Sequence, residues 1–300
     1  MKPLPAGKAS PGATPLLVFE GATFTRLGGG TALRGLSWTV REGECWAVVG
    51  PVGSGKTTLG EALLGKHPLA AGKAAWPLLD RLRAAGRPVA WPSDVLRLVT
   101  FREESRLFSY SRHYYQQRFN FIEPGDDVTL GEFLRAGASR SGEAVRGAAD
   151  RLGIGDLLPL SLIKLSNGQM RRARIARALL ADPELLILDD PFLGLDAAGR
   201  GEVSGLLGDL VRRGTRVLLL TRPDRVPDWV THVLELDGGA VRRQGRRDDF
   251  GFRDEDRVPP GHANLSQGPK PEQAAPAREE AVIELRRVNV AYGDRHVLRD

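Results

Sequence analysis

Apolar residues gather along this chain in short runs with strand character. Leu17–Phe19, Leu36–Val40 and Cys45–Val49 come first, and Arg97–Phe101, Leu185–Leu188 and Val217–Leu220 follow. The last two are apolar at every position, the pattern of strands covered on both faces. Helical spacing marks Thr57–Leu64 and Ala197–Arg213, where Val203, Leu206, Leu207 and Leu210 share one side. Strands alternating with helices predict an α/β fold around a mostly parallel sheet. Residues 1–15 are rich in Pro, Gly, Ala and Ser and predict a flexible tail. Residues 247–281 carry Pro259, Pro260, Pro269, Pro271 and Pro276, which would break a helix or central strand and predict a linker.

An internal repeat follows the linker. Ile283–Tyr292 lines up with Leu17–Arg26, and each is followed by a Gly-containing turn and then Leu-Arg, at Leu33–Arg34 and Leu298–Arg299. Residues 282–300 are therefore expected to open a second copy of the domain at 16–246, making the chain part of a tandem protein.

Charged residues make up 27% and hydrophobic ones 41%, the balance of an ordinary globular chain. A net charge of +6 over 300 residues is too small to call for a nucleic-acid partner, and none is expected. No apolar window approaches the ~20 residues of a bilayer-spanning helix, and the N-terminus lacks the apolar core of a secretory signal. Cys45 is the one cysteine, which excludes an internal disulfide and a cysteine metal cage. The expected location is cytoplasmic, peripheral at the inner face of a membrane if a membrane partner exists.

Gly50-Pro51-Val52-Gly53-Ser54-Gly55-Lys56-Thr57 fits G-x-x-x-x-G-K-[ST], between a strand and a helix. Such a loop wraps main-chain N–H groups around phosphates at the positive end of the helix. Lys56 would reach the phosphates and the Thr57 hydroxyl would ligate Mg2+, with Thr58 next in line. Leu185–Leu188 ends in Asp189 and Asp190, so a carboxylate arrives at the C-terminal edge of the sheet, where Asp189 can hold the metal. The motif so far means nucleotide binding and leaves the family open.

Leu165-Ser166-Asn167-Gly168-Gln169 and the helix after it, with Gly194-Leu195-Asp196 beyond the aspartates, resemble the signature peptide and D-loop of ATP-binding-cassette (ABC) ATPases. Ser166 precedes Asp189 by 23 residues, a spacing also similar to that family's. The resemblance spans about residues 16–246 and implies a P-loop cassette with a mostly parallel core sheet, a small antiparallel β part and an inserted helical subdomain near 102–160. It implies ATP and Mg2+ as ligands. It further implies head-to-tail pairing with a second cassette, in the same chain or a homodimer, so that Ser166, Gly168 and Gln169 meet the nucleotide held by the opposite phosphate loop. A membrane permease is the implied transport partner. The Asp190–Asp196 run and the repeat are most similar to bacterial tandem-cassette proteins of the molybdate-transport and photorepair type. Arg171, Arg172, Arg174 and Arg177 on the following helix read more simply as a solvated face than as a nucleic-acid patch.

Several positions depart from the family pattern. Asn167 stands where Gly is usual. Asp190 stands for the Glu that acts as general base, one methylene shorter, which withdraws the carboxylate by roughly 1.5 Å. A misplacement of about 1 Å can cost ~10²-fold, so slow hydrolysis is expected, although backbone adjustment could restore the reach. Arg222 replaces the usual switch histidine and either brings positive charge to a γ-phosphate or simply ends a strand. Glu104 stands near the Q-loop glutamine and is the candidate metal contact there, with Gln116 and Gln117 further on. Arg26 falls where an aromatic stacks on adenine, and a guanidinium plane can also stack. The aromatic stretch Ser109–Phe121 is either a partner-facing surface or packing within the subdomain. Two functions follow: an ATP-hydrolysing cassette of a transport system, or a regulatory nucleotide-binding module with little hydrolysis. A ribosome-acting tandem factor ranks below both, because the proline-broken linker is unlike a long helical arm.

Overall fold

The computed structural model describes residues 13–26, 28–101, 128–136, 141–252, 290–292 and 295–298. Two long strands open the domain, β1 (Pro15–Thr25) and β2 (Thr31–Arg41), followed by β3 (Trp46–Val49) and α1 (Lys56–Leu63). Next come β4 (Leu69–Ala75), α2 (Pro77–Ala84), the single turn α3 (Pro92–Val95) and β5 (Leu96–Thr100). Two helices, α4 (Leu130–Arg135) and α5 (Gly142–Arg151), lead to α6 (Asn167–Leu179) and β6 (Leu185–Asp189). The domain closes with α7 (Ala197–Arg212), β7 (Val217–Thr221), β8 (His232–Asp237) and β9 (Ala240–Arg246).

Nine strands form one sheet in the order β4-β1-β2-β9-β8-β3-β7-β6-β5. The five from β8 to β5 are parallel. The flank is antiparallel in β4-β1-β2 and β9-β8, with β2 and β9 joined in parallel through the pair Arg34↔Ala240. The core strands alternate sides. Trp46 and Val48 of β3 join Leu59 and Leu63 of α1 in one apolar cluster. Ala47 and Val49 face the other way, with Ala173, Ile175 and Ala176 of α6 and with Val203, Leu207 and Leu210 of α7. Each buried leucine contributes about 1.5–3 kcal/mol, so both faces must be covered for these strands to persist. α1 sits unusually close: a Cβ at Gly60 would lie 3.0 Å from Leu220 and 3.3 Å from Leu98. A glycine inside a helix costs about 1 kcal/mol; here it lets the helix settle onto β5 and β7 and sets the height of the loop before it.

β4 and α2 have no counterpart in the sequence expectations, and β1 is longer than Leu17–Phe19. β4 is mostly exposed alanine and glycine, and its strand form comes from pairing with β1. The linker expectation also needs correction at its start. Arg247–Phe250 is a 3-10 turn, and Phe250 and Phe252 pack on the domain core. Arg243 lies 4.3 Å over Phe250 and Arg247 6.0 Å over Phe252, so aromatic burial holds the chain to the domain beyond residue 246. Residues 1–12, 102–127 and 253–289, which include most of the tail, the Ser109–Phe121 stretch and the linker prolines, lie outside the described residues. Two further strands, β10 (Val290–Tyr292) and β11 (Arg295–Leu298), form an antiparallel two-stranded sheet of their own. Its register pairs Val290 with Leu298, while β1 and β2 pair Phe24 with Leu33, the positions that the repeat equates. Among the described residues no helix is long and apolar enough to cross a membrane.

Cys45 is buried behind β7, its thiol donating to the Val217 carbonyl at 3.4 Å. Burial pushes this thiol up to about 12, so it stays protonated at neutral pH, and the thiolate is the reactive form. A colorimetric thiol reagent at pH 8 is expected to find no reactive cysteine in the native chain and one after denaturation; native reaction at a free-thiol rate would contradict the burial.

Candidate functional site

The loop Gly50–Gly55 joins β3 to α1 at the C-terminal edge of the parallel strands. Its conformation requires glycine at the first position. Gly50 has φ 153°, and a Cβ there would stand 2.2 Å from the Leu236 carbonyl oxygen. Pro51, Val52 and Gly53 are exposed, Ser54 and Lys56 are buried, and Thr57 and Thr58 are partly buried. The Lys56 ammonium lies inside the loop, donating to the Gly50 carbonyl at 2.7 Å and the Pro51 carbonyl at 2.8 Å, with Ser54 Oγ at 3.4 Å. Gly55, with φ 102°, precedes α1 and supplies no side chain to cap it. The first turn of α1 thus turns the positive end of the helix, without a side-chain cap, toward the loop.

Asp189, at the end of β6, is fully buried, and its Oδ2 accepts a 2.7 Å hydrogen bond from the Thr57 hydroxyl. Residues 132 positions apart thereby meet beside the phosphate loop. Asp190 follows with φ 57°, a left-handed turn unusual outside glycine, although aspartate tolerates it better than most. Its N–H donates to the Leu220 carbonyl at 2.7 Å, and its buried Oδ1 accepts no hydrogen bond among the described residues.

The signature peptide forms the start of α6. Ser166 is the N-cap, its Oγ accepting from the Gln169 N–H at 3.2 Å, while Gln169 Oε1 accepts from the Ser166 N–H at 2.8 Å. This reciprocal box gives Gln169 a capping role, so its side-chain oxygen is engaged within its own helix. Ser166 and Asn167 are exposed at that helix end, and Gly168 is partly so. Asp196 is the N-cap of α7, accepting from the Gly199 N–H at 2.8 Å.

The four arginines of α6 do not form a solvated face. Arg171 donates to the Pro191 carbonyl at 2.7 Å, Arg172 pairs with Glu202 at 2.7 Å, Arg174 reaches the Thr100 carbonyl at 3.3 Å, and Arg177 lies 4.6 Å over Phe133. Helical spacing alone reads such residues as solvent-facing, whereas neighbouring elements cover this side of α6.

The other candidates stand apart from the loop's hydrogen bonds. Arg26 is exposed at the end of β1. Arg222 is half exposed and pairs with Asp224 at 3.2 Å. Glu104 lies outside the described residues. One contributor escaped the sequence reading. The turn between β8 and β9 braces the loop from outside: the Gly239 N–H donates to the Ser54 carbonyl at 3.0 Å, and the Gly239 carbonyl accepts from the Arg34 N–H at 2.8 Å. Gly238-Gly239 was the only available signal, and a turn dipeptide does not name the loop it will support.

The donor set fits a magnesium-bound triphosphate. A buried ammonium and uncapped helix amides suit phosphate oxygens, and a hydroxyl beside a carboxylate gives the hard oxygen ligands Mg2+ prefers. The family model described as ABC transporter matches residues 33–193, more than half of the chain. The chain belongs to the ABC transporter family. This cassette is 32% identical to an ABC transporter ATP-binding protein of Schizosaccharomyces pombe, over 89% of the chain and 54% of that protein. It is 29% identical to the ABC transporter ATP-binding protein ModF of Escherichia coli, over 87% of the chain and 52% of ModF. With the energy-coupling factor transporter ATP-binding protein EcfA2 of Symbiobacterium thermophilum it shares 33% identity over 71% of each. The chain spans about half the length of the first two relatives. The structure of cbiO1 from Clostridium perfringens, part of the ABC transporter complex cbiONQ, matches with a TM-score of 0.63 at 24% identity, over 79% of this chain and 90% of that one. That likeness shows the fold, a P-loop ABC cassette.

Proposed function

We propose that this cassette binds MgATP and hydrolyses it slowly within a head-to-tail pair, as the ATP-binding component of a transport system. The observation that carries the reading is the meeting of Thr57 and Asp189 beside the buried Lys56, with a capped signature helix whose first residues are exposed on the same chain. Lys56 and the amides at the start of α1 would hold the phosphates; Thr57 and Asp189 would hold Mg2+, which when bound neutralises charge on the phosphate oxygens. Asp190 would take the proton of the attacking water, from a backbone position unusual for its type. Ser166 and Gly168 would present helix-end donors to the nucleotide of the partner. Arg26 would stack on the base.

The partner is read as a second cassette opening at residue 282, within a tandem protein of the molybdate-transport or photorepair type. The matching registers Phe24↔Leu33 and Val290↔Leu298 support this, as does the 87% coverage by ModF. A membrane permease completes the transport reading, by analogy with the transporter components among its relatives.

Asp190→Glu tests the assignment of the slow step. Restoring the methylene is expected to raise steady-state ATP turnover by about 10-fold or more at unchanged ATP affinity. Tight ATP binding with no turnover in either protein would favour the regulatory module instead.

A further inference from the structure

The chain leaves β6 through an irregular loop, and arginines from three elements hold its main chain. Arg171 of α6 donates Nη1 to the Pro191 carbonyl at 2.7 Å and Nη2 to the Leu193 carbonyl. Arg225, in the turn after β7, donates to the Phe192 carbonyl at 3.2 Å, and Arg200 of α7 to the Leu195 carbonyl at 3.1 Å. Four of the five carbonyls from Pro191 to Leu195 thus accept from a guanidinium. Arg171 is the one that grips two of them, and it is also seated 5.5 Å over the ring of Phe101, at the end of β5. Burial first, then Arg174, hold its guanidinium below the ordinary range, while Asp190 nearby works in the opposite direction.

The clamp matters because of how Asp190 is held. Its buried Oδ1 accepts no hydrogen bond among the described residues, so the direction of the carboxylate follows from the backbone. That backbone is left-handed, a conformation that carries a cost outside glycine, though a smaller one for aspartate than for most residues, and that the surrounding main chain helps to hold. We infer that Arg171 is a positioning residue for hydrolysis: by gripping the carbonyls on either side of Phe192 it fixes the main chain that aims Asp190. The inference rests on the reading of Asp190 as the group that activates water. Arg171 stands little more than one turn beyond Ser166, so a phosphate seated on the start of α6 pulls on the same rigid helix that grips the Asp190 loop. Arginine suits the task because its planar fork serves two acceptors at once, whereas a lysine reaches the loop as a single point.

The test compares the wild-type chain with Arg171→Ala, Arg171→Lys, Asp190→Asn and the double variant Arg171→Ala/Asp190→Asn, measuring MgATP affinity by calorimetry and hydrolysis by phosphate release. Arg171→Ala is expected to lower kcat by about 10- to 100-fold with ATP affinity within about two-fold, Arg171→Lys to fall between, and the double variant to lose nothing beyond Asp190→Asn. Should the alanine variant not fold, the lysine variant carries the comparison: reduced kcat at unchanged affinity supports the clamp, and wild-type turnover overturns it. Turnover equal to wild type in Arg171→Ala, or parallel loss of affinity and rate, overturns the inference and leaves the ATPase reading standing. A wild-type chain that binds ATP without turnover, or does not bind it, removes that reading and the inference with it.

Discussion

Lys56→Ala is expected to weaken MgATP binding by about 10- to 100-fold, because a charged hydrogen bond contributes about 1.5–3 kcal/mol and each 1.4 kcal/mol is tenfold. The lysine has two tasks in this fold. Its ammonium, largely buried, ties the Gly50 and Pro51 carbonyls together across the loop, and it is a cation carried by the first residue of α1. Removing it therefore loosens the cradle and deletes the charge that would meet the phosphates. The two contributions separate experimentally: thermal unfolding without nucleotide reads the tie, and ATP titration reads both. Unchanged ATP affinity in a folded Lys56→Ala chain would refute the nucleotide site as drawn.

Gly50→Ala is expected to be more disruptive than its single methyl suggests. The new Cβ would stand 2.2 Å from the Leu236 carbonyl and 2.7 Å from Ser54 Oγ, on a backbone with φ 153°. The Leu236 carbonyl cannot step aside cheaply, because it is the main chain of a fully buried residue of β8. A strained residue of this kind costs about 1–3 kcal/mol, which for a domain of this size lowers Tm by about 2–12 °C. ATP affinity should fall as well, since the displaced Gly50 carbonyl is an acceptor for Lys56. Gly142→Ala, where a Cβ meets nothing within 4 Å, serves as the control and should unfold within about 0.5 kcal/mol of wild type. Equal melting of the two variants would mean that the loop is not braced by β8.

The legible parts of the fold were those whose evidence is local. β3, β6 and β7 announce themselves as unbroken apolar runs because strands covered on both faces need no polar side. β4 carried no such mark: its residues are exposed and small, and pairing with β1 makes it a strand. The arginines of α6 misled for the same reason. Charge at helical spacing reads as a solvated face, and only neighbouring carbonyls and rings show where each guanidinium ends.

The sequence by itself determined the phosphate loop, the strand that delivers Asp189, and the signature at the head of a helix, because each is a contiguous pattern with a local conformational cause. It also determined which side chains stand at Asp190 and Arg222, since residue identity needs no fold. Only the tertiary structure decided which further groups, distant in the chain, meet at the site: Gly239 under the loop, and Arg171 on the main chain beside Asp190. These contacts end on backbone atoms or join separate elements. Backbone acceptors are the same in every residue, so no spacing in the chain could have pointed to them.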